Sequence, residues 1–325
     1  MTMFNRLKRY MAGPPAPPPM APGLPAVAAA AMSLDERIEM AVRCRDCDIL
    51  PKVAGSGEVV TEADGTRVQI AHNGLRLLAD AYHGAWMTRL IGQCQGHHAP
   101  QEERVFHEVV ARMPAAATMI ELGSWWAFYP LWFLKGAPGR RAIGLEPDPE
   151  RRAVGEANAA RNLLAPEFVA GFAGGGALAA ASFQLDGGRR IELPRVTVAG
   201  LMAAHGIGTL DLLRCDAHGV EMDVLRGCAG LLQEGRIRTV LVSTHHHSIS
   251  GDPLTHQRCM ALIEECGGAV FAEHDVHESF TGDGLIAARF GPDQAGWPII
   301  PLSLNRYSTS LYRNPLYELA EAWQG

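Results

Sequence analysis

The chain has 325 residues, of which 47% are hydrophobic and 20% charged, a length and composition that support a sizeable buried core. Its net charge of −6 argues against binding of nucleic acid through a broad basic surface. No apolar run approaches the roughly 20 residues that span a bilayer, and prolines follow the basic start where a signal peptide is apolar. The seven cysteines are scattered and odd in number, so we expect reduced thiols and a cytoplasmic protein. The charge and the lack of a long apolar run predict no nucleic-acid or membrane partner.

The first 113 residues read as a tether followed by a small cap. Residues 1–32 include a long stretch of proline and alanine with almost no charge, which predicts a disordered tether. The capping box Ser33-Leu-Asp-Glu36 predicts a helix, and two strand-like segments flank the turn pair Asp64-Gly65, as in a β-hairpin. Pro100, followed closely by two glutamates, predicts a further helix with a buried apolar stripe. Residues 33–113 are therefore predicted to form an α+β cap.

From residue 114 onwards, short apolar runs alternate with helical segments. This alternation predicts an α/β fold with a doubly wound sheet over residues 114–291, followed by a C-terminal extension at 292–325. Helices on both faces of such a sheet explain why its strands are continuously apolar. The predicted strands cover 117–123, 141–147, 166–172, 210–216, 237–243, 269–273 and 284–290.

Ligands of an open α/β sheet bind at the carboxyl ends of its strands, and two strands here end in an acid. Glu121 is followed by Gly123, which lets a backbone approach a ligand closely, and Glu146 lies 25 residues beyond Glu121, where nucleotide sites place a ribose-binding acid. Trp125 and Trp126 replace the further glycines of a dinucleotide loop, so a nucleoside without phosphates fits better. S-adenosylmethionine, a cationic nucleoside, meets these demands. The alternative is that both acids only terminate strands.

Three blocks of sequence carry a resemblance to a known family. They are MIELGSWWAFYPLWFL at 119–134, GLEPDPERRAVGEANAARN at 144–162 and LDLLRCDAHGVEMDVLRG at 210–227. Together they resemble the FkbM-type S-adenosylmethionine-dependent methyltransferases. The resemblance implies a class I methyltransferase Rossmann-like fold with a final antiparallel strand, and methyl transfer to oxygen, on a sugar, glycan or other small-molecule hydroxyl.

The resemblance also implies site residues. Those expected to bind the cofactor are Glu121, Gly123, Ser124, Trp125, Glu146, Asp148 and Asp216, with Glu146 at the ribose and Asp216 near the reacting centre. The chain departs from the family pattern in several places: Glu121 replaces the more usual aspartate, and the tryptophan pair replaces a smaller stretch. His218 stands where a glutamate is usual, and Arg214 where a lysine is usual.

Six of the thirteen histidines fall between residues 245 and 277. One interpretation is a general base for removing the hydroxyl proton, with His218 and His245 as candidates beside Asp216. A second is a divalent Mg or Zn ion that acidifies the hydroxyl. The third is that most are structural or surface histidines. The residues of the predicted metal set are Asp216, His245, His247, His274 and Asp275.

A lone pair of cysteines, Cys44 and Cys47, lies near the start of the predicted cap. With His97 and His98 it would suit zinc in residue type. The long separation between the cysteines and the histidines favours a structural or incidental role.

Two rivals to the methyltransferase hypothesis stay open. One is a metal-dependent enzyme built on the rim of histidines at 245–277. The second is a non-catalytic interaction module, in which the two tryptophans fill the cofactor cavity. The expected partner is a small-molecule or glycan acceptor, and a homo-oligomer is left open.

Overall fold

The computed structural model describes residues 32–185, 188–292 and 296–306. The predicted cap region begins with a helix whose first turn is closed by the Ser33–Glu36 capping box, as the sequence indicates. The hairpin around Asp64-Gly65 is present and is extended by a third antiparallel strand that was not predicted. In chain order the elements are α1 (Leu34–Val42), β1 (Val59–Thr61), β2 (Arg67–Ile70), β3 (Arg76–Leu78), α2 (Ala85–Gln93) and α3 (Pro100–Ala111).

Within the described ranges ten further strands follow, and seven of them build the central sheet. The strands of the central sheet are β4 (Thr118–Leu122), β5 (Arg141–Glu146), β6 (Glu167–Ala170), β10 (Leu212–Cys215), β11 (Thr239–Thr244), β12 (Ala269–His274) and β13 (Gly284–Arg289). A small separate sheet, which the sequence did not predict, contains β7 (Phe172–Ala173), β8 (Leu178–Gln184) and β9 (Arg190–Val196).

The remaining helices connect these strands. They are α4 (Phe128–Lys135), α5 (Pro149–Arg161), α6 (Val198–Ala204), α7 (Glu221–Gln233), α8 (His247–Ser250) and α9 (Thr255–Glu265), with a 3₁₀ turn at Val276–Glu278. The start of α5 follows from its sequence: Asp148 accepts a hydrogen bond from the Glu150 N–H, and Pro149 occupies the first turn. None of the helices in the described ranges is long and apolar enough to cross a bilayer.

The central sheet has the strand order β12–β13–β11–β10–β4–β5–β6. Strand β13 pairs antiparallel with both of its neighbours, and the pairs among β11, β10, β4, β5 and β6 are parallel. From β4 the chain builds outwards on one side through β5 and β6, and then returns to the other side of β4 with β10 and β11. This reversal places a crevice at the carboxyl ends of β4 and β10. The doubly wound fold and its final antiparallel strand are confirmed.

The core lies on both faces of the sheet, which is why β4, β10 and β11 are buried along their whole length. Side chains of β4 alternate between the faces: Met119 packs with the cap and α4, and Ile120 packs with α6, α7 and α9. Trp132 and Phe133 of α4 are buried in this core. Cap residues such as Ile38 belong to the same hydrophobic cluster as Met119, so the cap packs directly onto this face of the sheet.

The predicted tether covers residues 1–32, of which 1–31 lie outside the described residues, as do residues 307–325 of the C-terminal extension. The described part of the extension returns to the cap. Ser303 donates its backbone N–H and its hydroxyl to the Asp46 carboxylate, and Gln101 of α3 donates to the Ser303 carbonyl at 2.8 Å. All seven cysteines lie in the described ranges and are free thiols, as expected.

Candidate functional site

A cavity of about 600 Å³ opens at the carboxyl ends of the central strands. Loops after β4, β5 and β10 supply Gly123, Glu146 and Asp216 to its wall, and the cap closes it with Tyr82 and His98. This is the position that the strand order dictates for a ligand. The convergence of these three loops, on which the sequence interpretation depends, is present.

Gly123 brings two of these loops into contact. Its φ is 84°, and a Cβ built on it would lie 1.9 Å from the Asp216 carbonyl oxygen. Only glycine tolerates both the left-handed backbone and this separation. From the sequence, this glycine was expected to allow close approach of a ligand; the group that comes closest is instead the backbone at the end of β10. The glycine therefore shapes the cavity by joining its walls.

Glu146 ends β5 with a buried carboxylate whose orientation is fixed by the backbone. One oxygen accepts the Trp125 N–H and the other the Asp148 N–H, both at 2.9 Å. Burial raises the pKa of this carboxyl, while the two backbone N–H groups oppose that shift. Each oxygen keeps a further lone pair, so the carboxylate at the cavity wall can still accept hydrogen bonds from a ligand hydroxyl.

Arg214 of β10 holds three carboxylates at the floor of the cavity. Its guanidinium contacts Glu102 at 2.7 Å, Glu121 at 2.8 Å and Asp216 at 3.2 Å, and lies 3.9 Å above the Tyr129 ring. Burial raises the pKa of the Glu121 carboxyl to about 8, opposed by Arg214 and reinforced by the two other acids. One oxygen of Glu121, Oε2, is buried without a hydrogen-bond partner. The floor thus has an acid with unused hydrogen-bonding capacity.

His245 follows β11 and lies between two acids. Its Nδ1 is 2.8 Å from Glu221 Oε1, and its Nε2 is 3.4 Å from Asp216 Oδ1. Burial alone would lower its pKa, but Asp283, Asp216 and Glu221 together raise the pKa well above its ordinary value. These three acids favour the imidazolium form of His245 and so disfavour a role as general base, which stays a prediction.

His218 occupies a different position on the same rim. It is exposed, has a φ of 48°, and its ring centroid is 4.8 Å from that of His245. The ligand atoms of Asp216, His218 and His245 lie within 4.8 Å of one another. Of the two histidines predicted as bases, His218 is the one whose ring is open to the cavity.

The five residues of the predicted metal set are not brought together. Among the described residues, the group at the cavity contains Asp216 and His245 but lacks His247, His274 and Asp275. Asp275 caps the 3₁₀ turn through the His277 and Glu278 N–H groups, and the His247 ring lies tilted against His246 with centroids 4.1 Å apart. His274 lines the cavity, but burial lowers its pKa to about 4.

The tryptophan pair lines the cavity without filling it. Trp126 is buried and stacks on Tyr82 of the cap, with ring centroids 4.2 Å apart. Trp125 is half-buried, and the Arg151 guanidinium lies 3.7 Å from its ring centroid. Because about 600 Å³ stays open beside these rings, the feature expected of a non-catalytic module, a cavity plugged by indoles, is not found.

Sequence reasoning missed several residues of the site. Glu102 was interpreted only as one of two glutamates at a helix start, and Tyr82, Glu221 and Asp283 were not singled out. The position of Glu102 in the first turn of α3 agrees with that interpretation, but the side chain also reaches Arg214 and accepts from Ser243 Oγ at 3.1 Å. Apart from its position next to another glutamate, nothing in the sequence marks Glu102.

Comparison with known proteins gives a family match. Residues 108–268 match the model described as Methyltransferase FkbM domain, which spans the ends of all the parallel strands from β4 to β11. No curated protein matches the chain. Similar solved structures include a precorrin-6y C5,15-methyltransferase from Geobacter metallireducens, with a TM-score of 0.38, 11% identity and coverage of 57% of this chain and 88% of that one. An O-methyltransferase from Bacillus cereus in complex with SAH has a TM-score of 0.38, 15% identity and coverage of 59% and 80%.

Proposed function

Residues 108–268 belong to the FkbM methyltransferase domain family, and from this premise we propose that the protein transfers the methyl group of S-adenosylmethionine to a hydroxyl of a small molecule or glycan. The observation that carries the proposal is the cavity at the switch point of the sheet, with Glu146 fixed at one end and the three carboxylates around Arg214 at the other. Its volume of about 600 Å³ lies within the range of small-molecule sites.

The residues present fit the cofactor. The unpartnered Oε2 of Glu121, once that acid is ionised, and the remaining lone pairs of Glu146 are acceptors without protein donors, as a ligand with ammonium and hydroxyl groups requires. In this proposal Glu146 holds the ribose hydroxyls, and Glu121, Ser124 and the backbone at Gly123 surround the methionine end. Trp125, Asp148 and Asp216 complete the predicted binding set. When bound, the sulfonium supplies an activated methyl group.

The side chains at the rim would handle the proton of the acceptor. Asp216 is ionised, because His245 and Arg214 hold its pKa below the ordinary value against the effect of burial. Its carboxylate can orient an acceptor hydroxyl beside the exposed imidazole of His218, which we assign as the proton acceptor. His245, being charged already, orients Asp216 instead. Most of the acceleration then comes from holding the reactants in line in a closed cavity.

Features of the cap support a sugar-like acceptor. Tyr82, His83 and Trp125 lie at the cavity wall with ring centroids 4.5 to 4.9 Å apart. Aromatic faces of this kind pack against the apolar faces of small rings, and the nearby acids accept hydroxyl hydrogen bonds. A metal-assisted variant is favoured by one observation, the group Asp216, His218 and His245, which would hold a Mg or Zn ion against the hydroxyl.

Calorimetric titration with S-adenosylhomocysteine tests the proposal. We expect the full-length protein to bind it with and without a chelator, and the Glu146→Ala variant to lose at least tenfold in affinity. Glu156→Ala is the matched control, because Glu156 lies on α5 and pairs only with Arg152 in the described contacts. No binding in any condition would overturn the methyltransferase proposal, and normal binding by Glu146→Ala would overturn the ribose assignment.

The metal-assisted variant is tested in the same series. Methyl transfer from labelled S-adenosylmethionine to a panel of sugars and glycans is measured before and after chelation. Activity that survives chelation excludes the metal ion, whereas activity lost on chelation and restored by Mg²⁺ or Zn²⁺ supports it. Transfer to amines but not to hydroxyls would contradict oxygen as the acceptor atom.

A further inference from the structure

A second set of titratable side chains lies in the cap, outside the cavity machinery. His72 follows β2, His97 follows α2, and Glu103 lies in the first turn of α3. Their exposed fractions are 2%, 1% and 0%. The ligand atoms of the three residues lie within 4.8 Å of one another, although the chain separates His72 from Glu103 by 31 residues (103 − 72). A buried charge of this kind requires compensation by a partner of opposite charge.

One oxygen of Glu103 is held firmly by its own loop. Oε1 accepts the His98 N–H at 2.7 Å and the Ala99 N–H at 3.0 Å, and lies 2.8 Å from His98 Nδ1. These contacts fix the plane of the carboxylate. The other oxygen, Oε2, is thereby aimed at His97 Nδ1, 2.7 Å away, and at His72 Nδ1, 3.3 Å away.

Hydrogen bonds leave this arrangement incomplete. His72 Nδ1 lies near Oε2 without hydrogen-bond geometry, and it has no hydrogen-bond partner although it is buried. The two imidazole rings are stacked with centroids 4.1 Å apart, so both present an edge to the same carboxylate. Buried polar atoms are rarely left unpaired, and each such case calls for a missing partner.

We propose that His72, His97 and Glu103 bind a zinc ion in the cap. Two imidazoles and one carboxylate are a donor set that zinc prefers, with bonds of about 2.0–2.2 Å. Ligand atoms around a tetrahedral zinc are about 3.3 Å apart at such bond lengths. The 3.3 Å between His72 Nδ1 and Glu103 Oε2 matches this separation, and the shorter His97 contact needs to open by only about half an ångström. His98, at the second carboxylate oxygen, fixes the orientation of Glu103.

The ion would brace the wall of the cavity. The His72 ring meets Trp132 edge-on at 4.5 Å, and the His98 ring meets Phe128 at 4.9 Å and Trp126 at 5.1 Å. All three aromatic residues that these rings meet lie on or beside α4, which borders the cavity. The role assigned to the ion is structural, because the three ligands are buried and lie outside the cavity lining; the fourth position of a tetrahedral zinc would fall to a buried water.

In residue type, Cys44 and Cys47 with His97 and His98 would suit zinc, but the sequence favoured a structural or incidental role for the cysteines. Both cysteines are buried, and Cys47 Sγ donates to the Pro100 carbonyl at 3.0 Å. That hydrogen bond occupies the Cys47 thiol at the start of α3. The structure instead places His72 and Glu103 beside His97, which no sequence spacing indicates.

Metal analysis of the purified full-length protein tests the proposal. After dialysis against a mild chelator we expect about one zinc per chain by mass spectrometry, lost in His97→Ala and in Glu103→Gln. His107→Ala is the matched control, because His107 lies on α3 but outside the group. His218→Ala distinguishes the cavity group from the cap group. Zinc that is absent from the wild-type protein, or that is lost in His218→Ala and kept in His97→Ala, overturns the proposal.

A second measurement covers variants that fail to fold. Cobalt titrated into the metal-depleted wild-type protein should give the intense visible absorption of a four-coordinate ion, and zinc should displace it. The melting temperature should fall on metal removal and recover on addition of zinc. A protein that shows neither the absorption nor the thermal shift has no site. Neither readout uses S-adenosylhomocysteine, so failure here is separate from failure of the methyltransferase proposal.

Discussion

Replacing Glu121 with glutamine probes how the charges around Arg214 are balanced. Glu121 is 2% exposed and shares that guanidinium with Glu102 and Asp216. Because burial raises the pKa of its carboxyl to about 8, Glu121 is largely protonated at neutral pH. Glutamine has the same shape and no titration, so the variant removes only the proton equilibrium.

The sign and size of the effect follow from this pKa. The unfolded chain releases the proton near its ordinary pKa of 4.5, whereas the folded protein keeps it until about pH 8. Between these values the folded state holds one proton more, so the free energy of unfolding falls as pH rises, by about 1.4 kcal/mol per pH unit. Between about pH 5.5 and about pH 7.5, the wild type should therefore lose about 3 kcal/mol relative to Glu121→Gln.

Urea unfolding of both proteins across this pH range measures the difference directly. The remaining titrating groups cancel in the subtraction, because they are common to both chains. Glu150→Gln serves as the control, since Glu150 is exposed at the surface and its difference from the wild type should stay constant. A wild-type minus Glu121→Gln difference that does not change with pH would mean that Arg214 keeps Glu121 ionised throughout, and would refute the reasoning.

Three further outcomes follow from the site. His218→Ala should lower kcat by about 10²- to 10⁴-fold with unchanged affinity for S-adenosylhomocysteine, whereas the control His205→Ala should alter neither quantity. Equal methyl-transfer rates for His218→Ala and the wild type would reject the assignment of His218 as the base. Affinity for that ligand, measured by calorimetry, should rise with pH up to about 8, because its ammonium group prefers ionised Glu121, and a flat profile would contradict this contact. Gly123→Ala should destabilise the fold by more than about 2 kcal/mol in urea unfolding, against about 1 kcal/mol for Gly206→Ala, whose Cβ meets no atom; similar losses would show that the 1.9 Å approach is relaxed at no cost.

The sequence by itself determined the fold class and the location of the site. Apolar runs bounded by acids and glycines marked β4, β5 and β10 to within two residues at each end, and the rule that ligands bind at the carboxyl ends of parallel strands then selected Glu121, Glu146 and Asp216. Local signals sufficed because capping, turn formation and strand periodicity depend on neighbouring residues.

Only the tertiary structure decided which charges meet and in what protonation state. Glu102 lies 112 residues from Arg214, and His245 lies 24 residues from Glu221, yet these contacts set the charge of the cavity. The same holds for the three residues of the proposed zinc site in the cap. A pKa depends on burial and on through-space neighbours, and both are created when distant segments pack against one another. His247, His274 and Asp275 looked equivalent to His245 in sequence, and packing alone separated them.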